Sequence, residues 1–185
     1  MSPQPLIGVG FWRSLFEPLL PDPAGFVNAA WAAPERDQAL AYLRRGRPLN
    51  AWMGSSWCRF GCGEPRMGAA DLTDGTYCWP EGLAHYLEKH QVRLPAEIIG
   101  HIVAQPAFPT AHARQAEEFC LLDMRWWLTQ QGWTANISDF SQGSAAADQE
   151  LLRRFDRNLI DFGPESEATR EARRQLLAVI REKWA

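Results

Sequence analysis

Residues Trp52–Gly63 read WMGSSWCRFGCG, and residues Asp71–Tyr86 read DLTDGTYCWPEGLAHY. The fold class is read from this window. Asp74-Gly75 is a turn signal, because glycine tolerates positive φ and aspartate bonds its own backbone. It separates two short strands, Ala70–Thr73 and Thr76–Trp79. Leu49–Phe60 reads as a further strand in which Gly54 marks a bulge. Pro80 then opens a helix, with Glu81 placing negative charge in its first turn. Leu83, Tyr86, Leu87 and His90 share one face of that helix; Glu81, His85, Glu88 and Lys89 share the other. The expectation is a small antiparallel sheet over about residues 49–79, with Trp52, Trp57, Trp79 and Leu83 in one buried cluster.

Outward from this window the pattern is helical. Phe11–Leu20 predicts a short helix between prolines. Pro34 and Gly46 bracket another over Glu35–Arg45. Pro95 opens a third, with Ile98, Ile99, Ile102 and Val103 as its apolar stripe. Ala113–Gln131 is apolar nearly all round and predicts a buried central helix. Asn136–Ala147 is polar and small, a sub-boundary within one domain over 1–185. Two amphipathic helices follow, one through Leu151, Leu152, Phe155 and Leu159, the other through Ala172, Leu176, Val179, Ile180 and Trp184. The class is α+β, a small sheet packed against five or more helices with a helix-rich C-terminal half.

Composition bounds the function. The chain is 46% hydrophobic and 22% charged, enough to bury a core without disulfides or metal. A formal net charge of −3 argues against a nucleic-acid partner. No long apolar run predicts a membrane span, and the first residues lack a signal-peptide pattern, so the expected setting is the cytoplasm, with reduced cysteines.

The stretch Trp52–Pro95, which contains both quoted segments, also holds three of the nine Trp, three of the four Cys and two of the four His. Cys58 and Cys62, beside Gly61 and Gly63, resemble half of a zinc knuckle. If zinc is bound, the expected ligands are Cys58, Cys62, Cys78 and His85. The competing reading is two small buried thiols beside a glycine turn, and it sets the expectation of no metal and no cofactor. His90, on the apolar helix face, is expected to cap or pack. If the chain is an enzyme, the candidates are Cys58, Asp74, Glu81 and His85. Arg59 is placed to lower the Cys58 thiol pKa, and Glu81 lies four residues before His85. Asp74 is otherwise explained by its turn. No Walker loop, nucleophile elbow, His-Glu-x-x-His or dinucleotide fingerprint occurs.

Ser-Trp-Cys-Arg (56–59), Leu-Thr-Asp-Gly (72–75), Trp-Pro-Glu-Gly-Leu-Ala-His-Tyr (79–86) and Val-Arg-Leu-Pro (92–95) together resemble an uncharacterised bacterial protein family, over about Phe11–Pro95. Its general character is similar to that of small proteins of toxin–immunity loci. The resemblance implies a protein partner, with a toxin as its specific form. Three functions therefore stand open. The first is a non-enzymatic cytoplasmic binding protein, specifically an immunity protein that neutralises a bacterial toxin. The second is an enzyme with its site in the Trp57–His85 region. The third is a small zinc-stabilised domain.

Overall fold

Asp74 Oδ1 accepts the backbone N–H groups of Thr76 and Tyr77 at 2.8 and 2.7 Å, and Gly75 takes φ 94°. In this computed structural model, which describes residues 5–64, 67–105, 122–133, 145–157 and 159–185, that turn joins β3 (Ala70–Thr73) to β4 (Tyr77–Pro80) as an antiparallel pair. β2 (Arg47–Ala51) pairs antiparallel with β3, and the register shifts between Pro48 and Asn50. β1 (Leu6–Gly8) lies parallel to β4, and β5 (Leu122–Asp123) parallel to β1. The sheet order is β2-β3-β4-β1-β5.

The helices are α1 (Ala33–Leu43), α2 (Leu83–His90), α3 (Ala96–Val103), the single turn α4 (Arg125–Leu128), α5 (Ala145–Asp156) and α6 (Glu167–Lys183). The α+β class is as expected, but the sheet is mixed. Two strands from distant parts of the chain extend the antiparallel trio. No helix among the described residues is long and apolar enough to cross a membrane.

α1 packs against α2 and α3. Trp79, Leu83, Leu87, Tyr42 and Leu94 are almost wholly buried in the main core. Trp12, Phe26 and Trp127 form its aromatic end, with ring centroids 5.2–5.5 Å apart. A second, smaller core joins Leu15 to Leu176, Leu177 and Ile180 of α6, with Leu151, Leu152 and Phe155 of α5 against it. Arg173 ties α6 to the Leu15 segment within this second core. Its Nε donates to the Leu15 carbonyl at 2.5 Å, and its terminal nitrogens pair with Glu165.

Four expectations are corrected. Trp79 and Leu83 are buried, but Trp52 and Trp57 are 61% and 41% exposed. The strand expected over Leu49–Phe60 stops at Ala51, so both tryptophans ride on the loop beyond the sheet edge. Phe11–Leu20 is not helical. Arg13 N–H bonds the Pro21 carbonyl and Glu17 N–H bonds the Ser14 hydroxyl, which folds it into tight turns. Pro80 ends β4, and its helix begins at Leu83. Of the helix expected over Ala113–Gln131, residues 113–121 lie outside the described residues. Leu122–Asp123 is β5, and only Arg125–Leu128 is helical. Pairing with β1 captures this apolar run for the sheet, and Trp127 alone enters the core fully. The expected sub-boundary at 136–147 lies outside the described residues up to 144; 145–147 open α5.

Candidate metal centre

Gly61 and Gly63 take φ of 63° and 80°, a region that side-chain-bearing residues rarely adopt. They fold residues 58–63 back on themselves, with Gly61 N–H on the Cys58 carbonyl at 3.0 Å. Tyr86 of α2 holds this loop: its Oη accepts from Arg59 N–H at 3.0 Å and donates to the Trp57 carbonyl at 3.4 Å. The Phe60 ring stacks on His90, centroids 4.3 Å apart. Both thiols are thereby set against α2.

His85 and His90 lie five positions apart on α2, about 140° around an ideal helix. Nevertheless their rings meet, centroids 5.0 Å apart. His90 is the last helical residue, and Gln91 at φ 54° turns the chain away directly after it. Cys58 Sγ is 3.1 Å from His90 Nε2, Cys62 Sγ 3.3 Å from His85 Nε2, and the two Nε2 atoms are 3.2 Å apart. All four atoms lie within 4.8 Å of one another. A tetrahedral zinc ion, with bonds of about 2.3 Å to sulfur and about 2.05 Å to nitrogen, separates ligand atoms by about 3.3 Å (N to N), 3.6 Å (S to N) and 3.8 Å (S to S). The residues fit that ion.

Hydrogen bonding alone satisfies this cluster poorly. Two ring nitrogens facing each other need one proton between them, and a single ring nitrogen cannot serve both the opposite ring and a thiol. A divalent cation at the common focus satisfies all four atoms at once. Burial lowers the pKa of His85, and burial together with neighbouring His85 lowers that of His90 to about 4, so both rings are neutral ligands at pH 7. Burial raises the Cys58 thiol to about 11, so its thiolate needs a cation to form there. The sequence expectation that Arg59 lowers this thiol is corrected. Arg59 Nε donates to the Arg13 carbonyl, and desolvation dominates at Cys58.

Three of the four expected zinc ligands meet here, and His90 takes the place assigned to Cys78. Cys78 is buried within β4, between β3 and β1, where the sheet holds it away from the loop. The signal for His90 was present. Cys-x3-Cys and His-x4-His both fall within the spacings of structural zinc sites, but helix periodicity argued against two histidines five apart.

The remaining enzyme candidates are dispersed. Asp74, 3% exposed, bonds Tyr42 Oη at 2.7 Å and His101 Nε2 at 2.8 Å besides its turn amides. It pins the β3–β4 turn to α1 and α3, and sequence reasoning missed both partners. Glu81 accepts Ala69 N–H at 3.0 Å, while His85 faces Cys62. Asp74, Glu81 and His85 therefore serve three separate local structures. Comparison with protein-family models, curated proteins and solved structures finds no match to this chain.

Proposed function

We propose that this chain is a zinc-stabilised binding domain. The observation that carries the reading is the convergence of Cys58 Sγ, Cys62 Sγ, His85 Nε2 and His90 Nε2 on one point. Two thiolates and two imidazoles are a soft, borderline donor set that selects zinc over magnesium or calcium. Four protein ligands fill a tetrahedron and leave no position for water or substrate, so the ion's role is structural. It cross-links the 58–62 loop to α2 and so fixes the wall formed by residues 52–59.

The binding role follows from that placement, because the fixed wall borders a cleft. An immunity protein acting on a toxin is one form of this role. It rests on the modest acidity of the chain and on the resemblance of its 56–95 motifs.

Zinc-depleted protein titrated with cobalt(II) tests the centre. A tetrahedral two-thiolate site gives thiolate-to-metal charge-transfer and ligand-field absorption at one equivalent, lost in the Cys58→Ser/Cys62→Ser variant and displaced by zinc. A featureless spectrum, together with no zinc retained after dialysis of the purified protein, refutes the reading.

A further inference from the structure

Beside the metal loop lies a cleft of about 560 Å³, within the range of ligand sites. Phe11, Trp12, Trp52 and Tyr86 give it aromatic walls. Trp52, 61% exposed, and Met53, fully exposed, stand on its rim. Among the described residues its charged lining is Glu17, Asp71 and Glu81 against Arg59, three carboxylates to one guanidinium, a net −2. Arg59 is engaged with the backbone carbonyls of Arg13 and Trp57.

Asp71 gives the cleft its chemistry. It is 5% exposed, within β3, and its Oδ2 accepts from Trp52 Nε1 at 2.9 Å and Asn50 Nδ2 at 3.5 Å. Neither donor is charged, and among the described residues no cation pairs with Asp71. A buried carboxylate with neutral donors only is stabilised by a cation that arrives with a ligand. The indole that bonds it is itself the best of the aromatic faces for holding a cation. Loop geometry places the indole: Trp52 N–H bonds the Ala69 carbonyl at 2.7 Å and Ser56 N–H the Gly68 carbonyl at 3.1 Å, while Gly54 takes φ 124° between them.

We propose that this cleft binds an alkylammonium group, its charge against Asp71 and its methylene stem on Trp52. The same chemistry comes from a lysine side chain of a partner protein or from a free diamine. A carboxylate or phosphate ligand is disfavoured by the net charge of the lining. The inference goes beyond the metal centre, and its test is read on the protein as purified, whatever the metal content proves to be.

The test is an NMR titration of 15N-labelled protein, following the indole N–H signals. The Trp52 signal is the one missing from Trp52→Ala. The ligands are a capped Gly-Ser-Lys-Ser-Gly peptide, its Nε-acetylated twin and 1,5-diaminopentane. The lysine peptide or the diamine is expected to shift the Trp52 signal saturably, with the acetylated twin about tenfold weaker or inert. Tighter binding of the peptide assigns the source to a protein partner; tighter binding of the diamine assigns it to a small amine. Asp71→Asn is expected to weaken binding about tenfold. Should that variant not fold, Trp52→Ala, at an exposed position, is followed by the remaining cleft indole, Trp12, and is expected to weaken binding several-fold. No saturable shift with either amine, an acetylated twin that binds as well, or undiminished binding in a folded variant overturns the proposal.

Discussion

Withdrawing zinc should lower the melting temperature without unfolding the chain. The main core, with Trp79, Leu83, Leu87 and Trp127 buried, includes Cys58 as its one metal ligand and is otherwise built from apolar packing. The apo form therefore stays folded, unlike a small zinc finger that depends on its ion entirely. The ligand pairs, Cys58/Cys62 and His85/His90, lie far apart along the unfolded chain and meet only in the fold, so zinc binds the native state preferentially. Such a ligand adds RT ln(1 + [L]/Kd), about 2.7 kcal/mol at a hundredfold excess over Kd and about 1.4 kcal/mol for each further tenfold. For a chain of this size each kcal/mol moves Tm by about 2–4 °C. Tm should thus climb by about 3–5 °C per decade of free zinc above the Kd. Scanning calorimetry in chelator-buffered zinc gives the slope. Cys58→Ser/Cys62→Ser and His90→Ala should abolish it. A Tm indifferent to zinc, or an equal slope in the variants, refutes the centre, because a cation bound elsewhere gives the second outcome and no cation the first.

Trp79→Ala should cost about 3–5 kcal/mol in urea unfolding, since the ring is 1% exposed and its Nε1 donates to the Leu43 carbonyl. Trp52→Ala, which loses only the bond to Asp71 from an exposed ring, should cost about 1–2 kcal/mol, and equal costs would contradict the placement of the core. Asp74→Ala should destabilise on the order of 3 kcal/mol by taking the carboxylate from Tyr42 and His101 and orphaning two turn amides; an unchanged urea midpoint would show that the latch carries no stability. The Arg173 guanidinium holds the Glu165 carboxyl below its ordinary range. A lowered carboxylate stabilises the fold above its unfolded pKa, and that stability is lost as pH falls through the folded value. Arg173→Gln should therefore flatten the acid limb of stability against pH, and an unaltered limb would remove the pair from the account. Burial raises the Asp71 carboxyl, with Trp52 and Asn50 opposing. Amine binding should weaken as pH falls through that raised value, and Asp71→Asn should reduce that loss.

The local signals served well where the cause was local. Pro34 and Gly46 bracket α1, and Asp74-Gly75 makes the β3–β4 turn. Periodicity recovered most of the buried faces of α2, α3 and α6, but Val103 and Trp184 are exposed and Leu177 joins the α6 face. It failed where a strand partner intervened. Leu122 and Asp123 lie in a run that reads as helix, and pairing with Leu6 and Ile7 makes it strand. The candidate site is legible for three of its four ligands: the sequence points to Cys58, Cys62 and His85, and His90 reads as a core residue because it shares a face with Leu83 and Leu87.

What the sequence by itself determined is the α+β class, the central turn, most helix positions and the window that carries the scarce chemistry. Each depends on residues a few positions apart, where φ restriction, capping and side-chain period act. The tertiary structure alone decided that β1 and β5 complete the sheet, that Trp52 faces a cleft rather than the core, and that His90 meets Cys58 across 32 positions of chain. These are long-range encounters. They are selected by the packing of the whole chain; the Cys-x3-Cys and His-x4-His spacings hint at the last of them, and local pattern does not fix any.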